Sequence, residues 1–211
     1  MRAAARTGEV VGTQPVVWHA AKAALGCEPP LMATTGPPPG SRPAWYRRLP
    51  PSLQRVVAAS DRVSSLPVRS GPALAEAVAL LPSALRSEQP AQVEAVAQRI
   101  ADGVCGALGV SRPRVRVDGQ RPHDHRGELH GLYLPANGSG RDRITLWMRT
   151  AKRGQVVAYR TFLRTLLHEL CHHLDYTYLH LRDSLHTQGF YQRESSLFAA
   201  LGVAGIDRRP A

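Results

Sequence analysis

The stretch from Tyr159 to Tyr178 contains neither glycine nor proline, and its apolar residues recur at spacings of three and four. That periodicity is typical of a helix whose apolar stripe packs against a core. The stripe consists of Phe162, Leu163, Leu166, Leu167, Leu170 and Leu174. A helix of this kind requires other elements to cover it, so we expect the fold to be built around this segment.

The middle of this helix carries the sequence His-Glu-Leu-Cys-His, from His168 to His172. Residues four apart lie on one helix face with their Cβ atoms roughly 5–6 Å apart, so both imidazoles can bind one metal ion. Glu169 follows the first of them and can reach a water held by the metal. The pattern therefore predicts a zinc-dependent hydrolase with Glu169 as its general base.

A catalytic zinc usually has three protein ligands and one position for water, so a third ligand is needed. His173 points about 100° away around the helix and is a poor candidate. The metzincin class is excluded because it requires glycine and histidine where this chain has Asp175 and Tyr178. His186 and Glu194 remain, and both are far enough along the chain for it to turn back.

Two stretches of the chain carry a recognisable pattern: Thr-Leu-Leu-His-Glu-Leu-Cys-His at residues 165–172 and His-Thr-Gln-Gly-Phe at residues 186–190. Together they resemble the SprT-like (Spartan-type) zinc metalloprotease domain of the zincin superfamily. The first stretch is similar to the active-site helix of that family, and the second matches its HGxxF-like motif in the histidine and the phenylalanine, with Thr187 in place of the usual glycine. Upstream, 131–133 and 144–146 resemble the two strands before the helix. The resemblance covers about residues 92 to 201.

The resemblance implies a metallopeptidase that hydrolyses peptide bonds with a metal-activated water and Glu169 as general base. It implies Zn²⁺ as the cofactor, held by three imidazoles, those of His168, His172 and His186. Hydrolysis also requires a donor for the oxyanion. Tyr191 and Arg193 are the candidates because they follow the third ligand closely. Asp175 is placed either to orient a ligand from behind or to help end the helix.

Two alternatives stay open. With Glu194 as third ligand the site would be gluzincin-like, a small metallopeptidase with no link to DNA. Thermolysin relatives carry an acidic residue four positions later, and Phe198 at that position favours His186 instead. The other alternative is a non-catalytic zinc-binding or DNA-associated domain. An intact Glu169 argues against it, because a structural zinc site needs no base.

The chain carries a formal charge of +11, and 25 of its 27 basic residues are arginine. A basic balance is compatible with a nucleic-acid partner. The arginines are scattered along the chain, which is equally typical of a solvated basic surface. One role in the resembled family is cleavage of proteins crosslinked to DNA. We therefore expect a protein or peptide substrate, with DNA as a second partner through the basic surface.

The apolar residues and the cysteines exclude two other classes of protein. No window approaches 18 consecutive apolar residues, so no membrane partner is expected. Three widely spaced cysteines suggest neither a disulfide framework nor a cysteine zinc site. These features predict a cytoplasmic protein.

The chain is predicted to have three parts: a poorly ordered arm rich in Pro and Arg (1–52), a helical extension (53–90) and a zincin-like metallopeptidase domain (91–205). Residues 28–51 contain 8 of the 17 prolines, which excludes a helix interior or a central strand there. Apolar periodicity predicts helices over 53–63, 72–85 and 91–108, with Pro82 expected to kink or end the second.

Alternating apolar residues predict strands over 114–118, 128–134 and 143–148, and a helix follows at 190–201. The turn-rich Asn137-Gly138-Ser139-Gly140 predicts that the last two strands form a hairpin. The fold class is therefore α+β: a minimal zincin-like domain with a small, three-stranded, mainly antiparallel sheet packed on helices. We expect the 128–134 or the 143–149 strand to supply an open edge for a peptide substrate.

Overall fold

The computed structural model describes residues 44–125, 127–138 and 140–202. Within these ranges the protein is mixed α+β, with six helices, one three-stranded sheet and one two-stranded sheet. The chain divides into two compact units, Met1–Leu49 and Pro50–Ala211. In the described part of the first unit, helix α1 (Ala44–Arg47) carries Trp45 edge-on to Tyr46, with ring centroids 6.2 Å apart. The rest of the predicted arm, residues 1–43, lies outside the described residues.

The second unit begins with three helices that each have a proline in the first turn: α2 (Pro51–Asp61), α3 (Pro72–Arg86) and α4 (Pro90–Leu108). Proline suits this position because its missing N–H would have no intrahelical partner there. Helix α4 ends at Gly109, whose φ of 67° is the left-handed conformation of a C-terminal cap. The three predicted helices are confirmed with small shifts, and α2 takes in residues 51 and 52 of the predicted arm.

Pro82 does not end helix α3, which continues through it to Arg86. An interior proline costs about 3 kcal/mol because it removes a backbone hydrogen bond and crowds the preceding turn. Leu81, Ala84 and Leu85 are buried on both sides of it, in the core shared with helix α4. Tertiary packing therefore maintains the helix where local chemistry alone predicts an interruption.

The main sheet has the strand order β1-β5-β4, formed by β1 (Arg114–Gln120), β4 (Gly131–Leu134) and β5 (Arg143–Arg149). Strands β4 and β5 pair antiparallel, which confirms the predicted hairpin. Strands β1 and β5 pair in parallel, so the expectation of a mainly antiparallel sheet is wrong. Two short strands, β2 (His123–Asp124) and β3 (Gly127–Glu128), form a separate antiparallel pair before β4.

The position of β5 also corrects the expected substrate edge. Residues 143–149 lie in the centre of the sheet and pair on both sides, so they offer no open edge. The order of the strands along the chain does not reveal this arrangement. Strand β4 forms the far edge of the sheet, and β5, which follows it in the chain, lies between β4 and β1. Strand β4 is an edge strand, which leaves it as the remaining candidate.

One face of the sheet is apolar and buried, and the other carries arginines. The inward side chains are Val115, Val117, Tyr133, Ile144, Leu146 and Met148. They pack in one core with helices α4 and α5 (Tyr159–Thr177) and with helix α6 (Gln188–Ala200). Residues of α3 lie in the same core. The predicted extension is therefore continuous with the predicted metallopeptidase domain, with no boundary at residue 90. None of the described helices combines the length and apolarity that crossing a bilayer requires.

Candidate metal centre

Three imidazoles converge between helix α5 and the loop before helix α6. His168 and His172 lie one turn apart on α5, and their ring centroids are 5.1 Å apart. The ring of His186 lies 4.7 Å from that of His168 and 4.9 Å from that of His172. In the described part of the chain, they form the only group of three or more histidine, cysteine or acidic residues able to hold a metal ion.

The donor set fits a zinc ion. One candidate ligand atom from each histidine lies within 4.8 Å of the others, and the Nε2 atoms of His172 and His186 are 3.0 Å apart. Tetrahedral zinc–nitrogen geometry places ligand atoms about 3.3 Å apart, so small side-chain movements would close the set. Burial is graded from His172, which is buried, to His186, which is exposed. The site is therefore open to solvent beside His186.

Phe190 forms the floor beneath the three imidazoles. Its ring is fully buried, and its centroid lies 5.0, 4.7 and 5.0 Å from those of His168, His172 and His186. An apolar platform in contact with all three rings restricts their rotation and excludes water from that side. Phe190, four residues after His186, thus forms one wall of the histidine cluster.

His168 is held from behind by Glu194. Its Nδ1 lies 3.0 Å from Glu194 Oε2, and Arg164 donates to the other oxygen at 2.8 Å. Because a carboxylate only accepts hydrogen bonds, Nδ1 carries the proton and Nε2 keeps a lone pair for a metal. Burial lowers the pKa of His168, but the bond to Glu194 and the nearby carboxylates outweigh it and raise that pKa overall.

Glu194 is therefore not a third ligand in this arrangement. One of its oxygens accepts from Arg164, and the other lies 3.0 Å from Nδ1 of His168. Glu194 is also not among the residues whose atoms converge closely enough to bind one metal ion. Burial raises its pKa, but His168 and Arg164 outweigh burial and lower that pKa overall. The guanidinium of Arg164 lies 4.5 Å from the ring centroid of Phe198. Phe198, whose position in the sequence argued against a gluzincin site, thus contacts the arginine that holds Glu194.

His172 is held by a longer chain of polar groups. Its Nδ1 lies 2.7 Å from Ser184 Oγ, which donates to Asp175 Oδ2 at 2.7 Å. Arg193 donates to the other oxygen of Asp175 at 2.8 Å. Burial, followed by the two neighbouring imidazoles, lowers the pKa of His172 well below its ordinary value. A lowered pKa favours the neutral ring, which is the form that binds a metal.

The two residues predicted to stabilise an oxyanion lie in opposite environments. Arg193 is fully buried, and its two terminal nitrogens donate to Asp175, Ser60 and Val63. A guanidinium engaged in this way does not fit an oxyanion donor, so the predicted role of Arg193 is wrong. Tyr191 is 39% exposed, and its ring lies 5.8 Å from that of His186, on the open side of the site.

Glu169 lies beside the imidazoles with one oxygen unused. It is 2% exposed, and its Oε2 has no hydrogen-bond partner among the described residues. Burial raises the pKa of Glu169 to about 7, against the opposing effects of His168 and the backbone N–H of Tyr133. A Cβ atom at Gly131 would lie 2.6 Å from Glu169 Oε1, so only glycine leaves room for this carboxylate.

His173 faces away from the site, as its helical position predicts. Its Nε2 lies 2.7 Å from the carbonyl oxygen of Ser111, and its Nδ1 lies 2.9 Å from Asp142 Oδ2. The side chain is fully buried. The bond to Ser111 therefore fastens helix α5 to the segment before β1.

Comparison with known proteins adds no relative. No family model, no curated protein and no solved structure matches the chain. The function of the site is accordingly inferred from the geometry of its own residues.

Proposed function

We propose that this chain is a zinc-dependent metallopeptidase of the SprT-like type. The observation that supports this proposal best is the convergence of three imidazoles beside a buried carboxylate oxygen that has no partner in the described chain. Zinc bound by His168, His172 and His186 would supply a Lewis acid for the scissile carbonyl and lower the pKa of water to about 7.

Glu169 is the proton carrier of the proposed reaction. Hydrolysis of a peptide bond consumes one water and releases a carboxylate and an amine. Oε2 of Glu169 takes a proton from the attacking water and later delivers it to the leaving nitrogen. Glu169 Oε1 lies close to Gly131, and the backbone N–H of Tyr133 hydrogen-bonds to the carboxylate. Strand β4 thus helps to hold the base in position.

Strand β4 is also the proposed binding edge for the substrate. It is an edge strand, so one row of its backbone groups faces no other strand in the described chain. An extended peptide can pair with such an edge as an additional strand. Because Gly131 at the start of β4 adjoins Glu169, a peptide bound along this strand would pass the base, which is next to His168 in helix α5.

Tyr191 is the proposed oxyanion donor. Its position on the exposed side, next to His186, suits contact with a substrate carbonyl that enters from solvent. Removal of one such donor typically lowers kcat by about 10²- to 10³-fold. We expect Tyr191→Phe to show a loss of that size with KM little changed, because the donor acts mainly on the transition state.

Zinc analysis of the pure protein, combined with casein digestion, tests the proposal. We expect one zinc per chain and hydrolysis that a chelator abolishes. Glu169→Gln should keep the zinc and lose about 10²- to 10⁴-fold in rate. His186→Ala should lower zinc stoichiometry, whereas His123→Ala, at an exposed histidine of β2, should match the wild type. Absence of zinc, or equal digestion by Glu169→Gln, would contradict the proposal.

We propose DNA as a second partner, because exposed arginines lie together on the outer face of the sheet. Arg114 of β1 pairs in register with Arg143 of β5, and Arg116 follows two residues along β1. Phosphate contacts make DNA affinity fall as salt rises. The logarithm of the binding constant decreases with the logarithm of the salt concentration, with a slope of roughly one per contact. The double variant Arg114→Ala/Arg143→Ala should lower that slope, and Arg86→Ala on α3 should not. Salt-independent or absent binding by the wild type would exclude this partner.

A further inference from the structure

Helix α2 contacts the start of helix α6 so closely that only glycine fits at the contact. A Cβ atom at Gly189 would lie 2.3 Å from the backbone oxygen of Ser60, and backbone atoms cannot move aside as a flexible side chain can. The N–H of Gly189 donates to Asp61 Oδ1 at 2.9 Å. The hydroxyls of Ser60 and Thr187 lie 2.8 Å apart and are buried. Thr187 stands where the resembled family has glycine, and its hydroxyl also caps α6.

Arg193 joins this contact to the metal centre. One terminal nitrogen, Nη1, donates to the carbonyl oxygens of Ser60 and Val63, both at 2.7 Å. The other, Nη2, donates to Ser60 Oγ at 2.9 Å and to Asp175 Oδ1 at 2.8 Å. A planar guanidinium can satisfy acceptors on two sides at once, which a lysine ammonium cannot do in the same way. The end of α2 and Asp175 are thereby held by one rigid group.

The connection continues from Asp175 to a ligand ring. Ser184 has a single hydroxyl proton, and it donates that proton to Asp175 Oδ2. The hydroxyl oxygen must therefore accept from Nδ1–H of His172, 2.7 Å away. This assignment leaves the lone pair on Nε2, the atom that lies 3.0 Å from Nε2 of His186. Outer partners of this kind orient ligand imidazoles and select the tautomer.

We propose that Arg193 is a positioning residue that anchors the His172 ring to helix α2 through Asp175 and Ser184. Helix α2 is then a component of the metal centre. The inference rests on the proposed zinc site but not on peptidase activity. It differs from a simple structural ion pair in one respect. A structural pair would support the fold without any dependence on Ser184, whereas a positioning chain transmits its effect on zinc affinity through that hydroxyl.

A double-mutant cycle on zinc affinity tests this distinction. Zinc dissociation constants, measured by competition with a chromophoric chelator, are compared for Ser184→Ala, Arg193→Lys and the double variant. We expect each single change to weaken zinc binding by about 10- to 100-fold, the usual effect of losing an outer partner. In the double variant we expect no more than about a twofold further loss beyond the larger single effect, because both changes break the same connection.

Arg121→Lys is the matched control, since Arg121 is also a buried arginine, paired with Glu128. It should leave zinc affinity unchanged. If Arg193→Lys does not fold, Asp175→Asn takes its place in the cycle, because it keeps the shape of the side chain. Independent effects that multiply in the double variant would overturn the positioning role. So would unchanged zinc affinity in Ser184→Ala while the wild type binds normally. Failure of the wild type to bind zinc would instead overturn the proposed function and the inference together.

Discussion

The two helical histidines are supported by groups that do the same work in different surroundings. Behind His168, Glu194 is held by Arg164, whose side chain is 49% exposed. Behind His172, Ser184 and Asp175 are held by Arg193, whose side chain is 1% exposed. Glu194 is itself buried, but solvent around Arg164 screens that pair, so its loss should cost less than the roughly 3–5 kcal/mol of breaking a pair in which both partners are buried. The same geometric task is therefore performed with very different energetic consequences.

Both supports begin on helix α6, from consecutive residues. Successive positions on a helix point about 100° apart, so Arg193 and Glu194 are directed at different ligands. Arg193 lies three residues after Phe190 and four before Leu197, which places it on the buried side of the helix. Glu194 lies at the margin, where an exposed arginine can still reach it. One helix thus holds the floor of the site and the supports of two ligands.

The largest expected effect comes from leaving Asp175 buried without its partner. Arg193→Met should destabilise the fold by about 3–5 kcal/mol, because an uncompensated carboxylate remains in the interior. Denaturant unfolding without zinc measures this loss. Adding Asp175→Leu should recover part of the stability, because it removes the stranded charge. A loss below about 1 kcal/mol would place the buried pair in the exposed class and end the contrast between the two supports.

The second largest effect is expected at Gly189, which contacts the end of helix α2, where Ser60 also binds Arg193. Gly189→Ala should destabilise the protein by about 1–3 kcal/mol, since helix α2 must shift to admit a methyl group. The new Cβ would meet the backbone of Ser60 and Asp61. Gly119→Ala in β1 is the control, because a Cβ there meets nothing within 4 Å. Equal stability of the two variants would show that α2 is loosely attached. Helix α2 would then not belong to the buried support behind His172, which would consist of Ser184, Asp175 and Arg193 alone.

The candidate ligands and the supporting Asp175 could be predicted from the sequence, but the supporting roles of Ser184 and Arg193 could not. His168, Glu169 and His172 follow from helical spacing, whereas His186 is indicated only by the resemblance of residues 186–190 to a motif of the SprT-like family. Ser184 carries no such signal, since a loop serine has no characteristic spacing. A signal for Arg193 did exist. It is a charged residue in register with Phe190 and Leu197, which indicates a buried pair better than an oxyanion donor.

The sheet shows the same limit at a larger scale. Alternation correctly predicts which side chains of β1 and β5 face the core, because it is a property of each strand by itself. Strand order depends on pairing between distant segments, and residues 143–149 look equally suited to an edge or a centre. Pro82 is a third case, in which burial of its helical neighbours outweighs a local penalty.

Substitution of Glu194 is expected to have an effect smaller than that at Gly189 and larger than that at Arg164, and to affect zinc binding more than stability. Glu194→Ala should weaken zinc binding by about 10- to 100-fold, because His168 loses its outer acceptor. Stoichiometry at saturating zinc should stay at that of the wild type, since Glu194 is not among the converging ligands. Glu76→Ala, at an acid whose side chain is 64% exposed, is the control. A lower zinc stoichiometry in Glu194→Ala would indicate that this residue is a ligand. The comparison between the supports of His168 and His172 would then no longer hold.

The smallest expected effect belongs to Arg164. Arg164→Ala removes an ion pair whose arginine is half in solvent and a contact over the ring of Phe198, so the stability loss should stay within about 1 kcal/mol. The loss should shrink further at high salt, because ions screen an exposed pair. Arg164→Lys, which keeps the charge but not the planar contact, separates the two contributions. Unfolding at low and high salt measures both variants. A salt-independent loss as large as that of Arg193→Met would mean that burial of the arginine does not determine the strength of these supports. Effects of the expected size would show instead that a metal ligand can be oriented by a pair that contributes almost nothing to the fold.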